Sequence, residues 1–485
     1  MTNPARPPVT ALLAGFVAGF PAGGIPIGAG DQMKRAALDL LGVTLAGSVE
    51  AAGEQARAYA ASQASAGPSA VFGPSGTGRG AARAENPPLR YADRSGSPGE
   101  GRGLRFSPAF AALANGTAGH ALDFDDIGLG AGHVSVAVMP AALAVAEHVG
   151  ASGAQFVEAM VLGYEVAARL TRIAPDVVSG PYEYGFHKPS VYAVFGGTAA
   201  CARLLGLDAD ATAAALGIAA SSAGGLRVNF GTMTKPFHAG LANRTAVESA
   251  LLAKSGFTGS PSALEGRFGW FDAIARGEGD LAAVVAGLGE TPFAVEDGFV
   301  FKRFPCCGAN HAAIEAVLAV VEEHGLRPAD VASIEVAIEA RYLNEVLVHP
   351  WPQSPLEGKF SLAYNVAAAL VDGAVTIDTF TDGKLAALAG VRDRVTVRPD
   401  PAMARDAALI VVHTTDGRKL RLEHRGIKGG LDDPLSWADL TEKFAANTTR
   451  FLKDAAADEV VDRLHHLGDQ ASLRPITDLL LGEAP

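Results

Sequence analysis

The sequence predicts a mainly α protein with an α+β part: a large all-helical domain and a smaller α+β lid domain. Three observations carry that expectation. Apolar residues recur at helical spacing through residues 9–70 and again from Pro108 to about Gly256. After about residue 288 the pattern becomes strand-like, with helices between the strands. From Trp437 onward it is helical once more. The expected division is therefore 1–288 for the helical domain, 289–425 for the lid, and 426–485 for C-terminal helices that rejoin the helical domain.

Each element has its own reason. Ala11-Leu12-Leu13-Ala14-Gly15-Phe16-Val17 follows Arg6 and has the outline of a secretory leader. Gly and Pro come next, however, and then Gln32–Gly42 reads as a second helix, so the stretch is expected to be a structural first helix. The longest largely apolar run, Val134–Ala146, falls short of the ~20 residues a spanning helix needs, so no membrane association is expected. Residues 73–105 are rich in Gly and Arg without apolar periodicity and predict a long loop. Phe156–Val166, Val191–Leu205 and Pro236–Lys254 are helical, and Pro236 suits a first turn, where its missing N–H is harmless. Gly298–Phe304, Ser333–Ile338, Arg394–Val397, Ala408–His413 and Lys419–Leu422 are strand-like. The last two flank Asp416-Gly417, a hairpin signal, and helices are expected at 309–324 and 361–371.

Composition narrows the function. With 48% hydrophobic and 19% charged residues, the 485-residue chain is not a disordered one. Its 57 glycines and only 7% aromatics point to closely packed helices with small side chains. Forty basic against 52 acidic residues, a net charge of −12, excludes a broad nucleic-acid surface. A local cationic pocket for a small anion stays compatible with that balance. Cys201, Cys306 and Cys307 show no CxxC and no zinc spacing, which suggests a reducing, cytoplasmic setting.

Four stretches could carry chemistry. Asn115–Asp126, continuing to His133, places Asp123, Asp125 and Asp126 within four residues. Such crowding persists when one carboxyl is protonated, when cations lie nearby, or when a metal binds. A divalent site from Asp123, Asp125, Asp126 and His133 and a helix end with capping and solvated Asp residues are both open readings. Tyr184–Ser190 carries His187 beside a Gly and ahead of a Pro turn. Lys235 immediately precedes the helix-starting Pro236, and a cation there opposes the helix dipole, so an anionic partner or a lowered pKa is expected. Lys302-Arg303-Phe304-Pro305-Cys306-Cys307 is a cationic segment running into a helix, with both thiols read as buried. There is no GxSxG elbow.

Taken together, these stretches resemble the MmgE/PrpD family. The matching motifs are Ala114–Ala118 with Leu122-Asp123-Phe124-Asp125-Asp126, Gly185-Phe186-His187, and Gly231-Thr232-Met233-Thr234-Lys235-Pro236. Gly256–Gly259, Leu264–Gly269, Pro305-Cys306-Cys307 with His311, and Glu357–Ser361 continue the match in order and spacing. The resemblance implies a helical domain plus lid, a homodimer, an active site between the domains, and no metal or organic cofactor. It implies a lyase or isomerase acting on a small di- or tricarboxylate by proton abstraction α to a carboxylate. A 2-methylcitrate dehydratase-like hydro-lyase is the leading expectation, with an iminodisuccinate epimerase-like or cis-aconitate decarboxylase-like activity as alternatives.

Carried over residue by residue, His133, Asp123, His187, Lys235 and Tyr342 are the implied catalytic residues. His187, Lys235, Lys302, Arg303 and Lys359 are the implied substrate-binding residues. Cys307 stands where the decarboxylase branch has a lid histidine, which counts against decarboxylation. Gly132-His133-Val134-Ser135 in place of His-Pro-Ser, Ile127 in place of Thr or Ser, and the 73–105 insertion are further departures.

Overall fold

The computed structural model describes residues 6–74, 104–173, 180–290 and 293–481. Helices α1 (Val9–Gly19), α2 (Ile27–Gly47) and α3 (Ala51–Gln63) are followed by a short antiparallel pair, β1 (Ala66–Val71) and β2 (Leu104–Phe106). Then come α4 (Pro108–Ala121), α5 (Ser135–Val149), α6 (Gly153–Thr171), α7 (Val194–Leu205), α8 (Ala209–Ala220) and α9 (Thr234–Lys254). Local signals set their ends. Ser152 and Gln155 form a capping box at the start of α6, and Asp208 accepts the Ala211 N–H at the start of α8. Gly150 and Gly206 close α5 and α7 in the left-handed conformation.

Two expectations are corrected here. Residues 66–71 are not helical. Gly67 and Pro68 break the helical run, and the strand is fixed by side chains: Asn115 accepts the Phe72 N–H at 3.0 Å and donates to the Ala70 carbonyl at 2.8 Å. Gly298–Phe304 is not a sheet strand either. Only Val300 pairs, with Ile127, while Phe301 N donates to Gly429 O at 3.0 Å. Phe299 and Phe301 are buried in the helical core, so the alternation reflects a segment crossing between domains. Of the expected loop 73–105, residues 75–103 lie outside the described residues.

One core runs through α1, α2, α5, α6 and α7 and includes Leu440, Phe444, Val460, Leu464 and Ile476 from the C-terminal helices Trp437–Thr448, Asp454–His465 and Arg474–Leu480. A second core belongs to a four-stranded sheet of β3 (Val331–Glu339), β4 (Val395–Asp400), β5 (Ala407–Thr414) and β6 (Lys419–Arg425), in the order β4-β3-β5-β6. β3 and β4 are parallel and the other pairs antiparallel. Ile334, Val336 and Ile338 of β3, with Ala408, Ile410 and Val412 of β5, are buried beneath the helices His311–Glu323 and Leu362–Asp372. The tight turn at Gly417 (φ +89°) joins β5 and β6. Among the described residues, no single helix is long and apolar enough to cross a membrane.

The glycine excess has a specific use where α6 crosses α7. A Cβ on Gly163 would lie 2.6 Å from the Gly196 carbonyl oxygen, and one on Gly196 would lie 2.5 Å from the Gly163 oxygen. Only backbone could yield there. Gly163→Ala is expected to destabilise the protein by about 1–3 kcal/mol, the usual overpacking cost, read as a lower urea midpoint at unchanged m-value. An unchanged midpoint would refute the close-approach argument.

Candidate active site

The site is built around the turn after α4. Three successive carbonyls there each accept an ammonium: Leu122 O from Lys359 at 2.9 Å, Asp123 O from Lys302 at 2.7 Å, and Phe124 O from Lys443 at 2.9 Å. Asp123 itself is held at φ +52°, a conformation non-glycine residues seldom adopt. Its carboxylate takes Lys235 Nζ on Oδ1 at 2.5 Å and Lys302 Nζ on Oδ2 at 3.0 Å. Burial alone would raise this carboxyl, but the two lysines hold it well below the ordinary range. Lys235 sits in the first turn of α9 despite the dipole, because Asp123 compensates; the rings of Phe230 and Phe360 lie 5.4 and 5.2 Å from its Nζ.

The other two carboxylates go separate ways. Asp125 receives His120 Nδ1 on Oδ1 and His133 Nδ1 on Oδ2, both at 3.0 Å. His120 ends α4, and Gly130 and Gly132, both at positive φ, return the chain so that His133 stands just before α5. Burial pushes His133 down to about 3 and lowers His120, while both imidazoles hold Asp125 well below the carboxylate range against its own burial. Two neutral rings facing an ionised carboxylate must both donate through Nδ1. Their Nε2 atoms therefore keep lone pairs. That of His120 accepts Lys235 Nζ at 3.0 Å. That of His133 faces Asp123 Oδ1, another acceptor, at 3.5 Å. Asp126 turns away to the start of α5, taking the Ser135 N–H at 3.3 Å and contacting its hydroxyl.

His187 completes the group. Its ring stacks on His120 (centroids 5.6 Å apart, 20° between planes) and its Nδ1 lies 3.2 Å from His238 Nδ1. A π-helical turn, Pro189–Ala193, follows it and runs into α7; such turns concentrate at functional sites.

The structure thus brings Asp123, His133, His187, Lys235 and Lys302 together. Lys359 is buried, but it donates to Leu122 O and Pro305 O, so it holds backbone, and burial lowers it to about 8. Arg303 does not reach the cluster. Its side chain is 51% exposed, lies 3.7 Å from Glu315, and faces a separate cleft of about 1440 Å³. Its neighbour Lys302 points inward because successive residues of an extended segment face opposite sides. Tyr342 packs against the lid core, and burial, with the Cys307 thiol adding to it, pushes its hydroxyl up to about 12. Cys306 and Cys307 are buried free thiols, and burial raises Cys307 to about 11. The sequence alone gives no role to His120, His238, Phe230 or Phe360; the one signal it offers is that His120 and His238 lie three residues from Asp123 and Lys235.

His120, Asp123, Asp125 and His133 place four ligand-type atoms within 4.8 Å of one another. The donor set nevertheless does not suit a divalent cation. Both Asp123 oxygens already accept ammoniums, both Asp125 oxygens accept imidazole N–H groups, and a metal would lie beside two buried lysines. Asp126, part of the sequence-level metal reading, is not in the group.

A helical domain, an α+β domain and a buried cluster of aspartates, histidines and lysines at the point where they meet fit one class: an MmgE/PrpD enzyme. The chain matches the MmgE/PrpD N-terminal domain over residues 87–280 and the C-terminal domain over residues 304–467, and it belongs to that family. It is 31% identical over 398 residues to the human (Homo sapiens) cis-aconitate decarboxylase, covering 79% of this chain and 81% of that one. The Aspergillus terreus cis-aconitate decarboxylase is 28% identical over 58% of this chain and 61% of its own. The Salmonella typhimurium 2-methylcitrate dehydratase is 27% identical over 46% of this chain and 49% of its own.

Burial raises Asp126 to about 8. Its unfolded value is near ~4, so between about pH 4 and 8 the folded state holds a proton that the unfolded chain has lost. Stability therefore falls as pH rises through that window. Asp126→Asn removes this contribution, and its Tm is expected to fall less than that of the unaltered protein between pH 6 and 8.5. Parallel Tm–pH curves would contradict the assignment.

Proposed function

We propose that the protein is a lyase acting on a small di- or tricarboxylate, with a proton moved at the carbon α to a carboxylate. The observation that carries this reading is His133: neutral, fixed by Asp125 through Nδ1, with a bare Nε2 3.5 Å from the same Asp123 oxygen that holds the Lys235 ammonium. A carbanion next to a carboxylate needs a fixed cation more than it needs a strong base. Lys235, already buried and oriented, supplies one.

Loss of CO2 is the first reaction to test, because the decarboxylase relatives match over most of their length. In that reaction the carbon–carbon bond to an allylic carboxylate breaks. The electron pair shifts through the double bond, and the carbon α to a second carboxylate takes a proton. His133 must then start protonated, and the negative charge of the bound substrate favours that state. Dehydration is the second reading, favoured by Cys307 in the lid. There the bare His133 Nε2 takes the α-proton, and another group protonates the departing hydroxyl. The two reactions give opposite pH profiles: a carboxy-lyase loses rate as His133 deprotonates with rising pH, a hydro-lyase as it protonates with falling pH.

The test is incubation with cis-aconitate, 2-methylcitrate, citrate, tartrate and iminodisuccinate in deuterated buffer, followed by NMR. One of them is expected to lose CO2, with solvent deuterium entering at the α-carbon of the product, or to lose water, with an α-proton passing to solvent and an alkene appearing. His133→Gln is expected to lower the rate at least about 100-fold with little change in Tm. Turnover is expected to survive dialysis against EDTA, since the lysines fill the place a cation would take. No reaction with any of these acids would overturn the proposal for this substrate set.

A further inference from the structure

The four histidines of the site form two pairs that differ in one respect. His120 and His133 share Asp125, which fixes both tautomers. His187 and His238 have no carboxylate within hydrogen-bonding reach among the described residues; each has the other, Nδ1 to Nδ1 at 3.2 Å. Both are buried, at 3% and 4% exposure. The charged and titratable groups facing them are Lys235 from α9, His120 from α4 and His133 ahead of α5. Phe230 lies edge-on to His187 at 5.1 Å. A Cβ on Gly225 would lie 2.7 Å from Ser190 Oγ and 3.2 Å from the His238 ring, so the missing side chain there makes room for the pair.

Two facing Nδ1 atoms can make a hydrogen bond only if one is protonated and the other is not. If His187 donates, its Nε2 is bare. If His238 donates, His187 Nε2 carries the N–H. Exchanging the two states moves one proton across the contact and returns another, through solvent, from one Nε2 to the other; His187 Nε2 thereby changes between acceptor and donor, and no carboxylate among the described residues anchors either state. Adding one proton makes an imidazolium shared by both rings. The buried Lys235 opposes that charge, and an incoming anion offsets it.

We propose that His238 is a positioning residue that sets the protonation of His187. The pair takes up one proton from solvent when a polycarboxylate enters, and His187 then presents its Nε2–H to a substrate carboxylate. The proposal rests on the polycarboxylate reading above for its ligand, and on geometry alone for the coupling. Nothing else is bonded or broken in the step: a solvent proton joins the pair on binding and leaves with the anion.

The experiment compares the full-length protein with His238→Asn. Asn places an amide where Nδ1 was, keeping one hydrogen bond while being unable to carry charge. Calorimetric titration with tricarballylate, a saturated tricarboxylate, in buffers of differing ionisation enthalpy counts the protons taken up. The unaltered protein is expected to take up about one more proton than the variant. The kcat–pH profile of the variant should shift while its KM–pH profile flattens, and kcat should fall at least about tenfold. In parallel, long-range ¹⁵N spectra of the histidine-labelled, unaltered protein should show His187 and His238 titrating together and mixing tautomers. His187 should become a single tautomer in the variant. Equal proton uptake by both proteins, or a fixed His187 tautomer that His238→Asn leaves unchanged, would overturn the proposal. Failure of tricarballylate to bind the unaltered protein would count against the polycarboxylate reading instead, and the spectra of the free protein would still decide the coupling.

Discussion

The three carbonyls of Leu122, Asp123 and Phe124, each taken by a lysine ammonium, are the constraint on which the rest depends. The lysines come from distant parts of the chain: Lys302 from the crossing segment, Lys359 from the sheet domain, and Lys443 from the C-terminal helices. A left-handed aspartate costs about 1–3 kcal/mol. Breaking a buried ion pair by removing one partner costs about 3–5 kcal/mol. The pairing therefore prevails, and Asp123 stays in its strained conformation. Lys443 is in turn neutralised by the buried Asp39 at 2.6 Å, so the cation does not stand alone inside the helical core.

That constraint also explains how three carboxylates coexist in four residues. Asp123 is satisfied by lysines and Asp125 by histidines, so both stay ionised; Asp126 has only Ser135 and stays protonated near neutral pH. Charge is thus segregated by direction within one turn. The ammonium of Lys235 touches both networks, through Asp123 and through His120. A shift of charge at Lys235 is felt by His120 and, through Asp125, by His133.

Much of this was legible in the sequence, for identifiable reasons. The helices at 156–166 and 236–254 and the hairpin at Asp416-Gly417 show up through periodicity and turn chemistry, which are local. The motif residues Asp123, His133, His187 and Lys235, drawn from separate stretches of the sequence, lie together in the fold. What periodicity cannot show is where a backbone hydrogen bond goes. Gly298–Phe304 alternates like a strand yet spends its bonds on Ile127 and Gly429. Lys359 reads as an anion binder but holds two carbonyls, and Arg303, adjacent to the buried Lys302, points to another surface. His120 and His238 were hidden for the opposite reason: they lie on apolar or mixed helices, and only tertiary packing shows what they meet.

The buried thiols give the molecule an internal clock. Cys201 belongs to the packed helices, while Cys306 and Cys307 belong to the lid core, where Cys307 N is tied to Lys359 O at 3.0 Å. A thiol shielded in this way reacts with an alkylating reagent only during moments of local opening. Two such reporters lie in one domain and one in the other. Their relative labelling rates under native conditions would therefore separate loosening of the lid from loosening of the helical body, with no probe introduced.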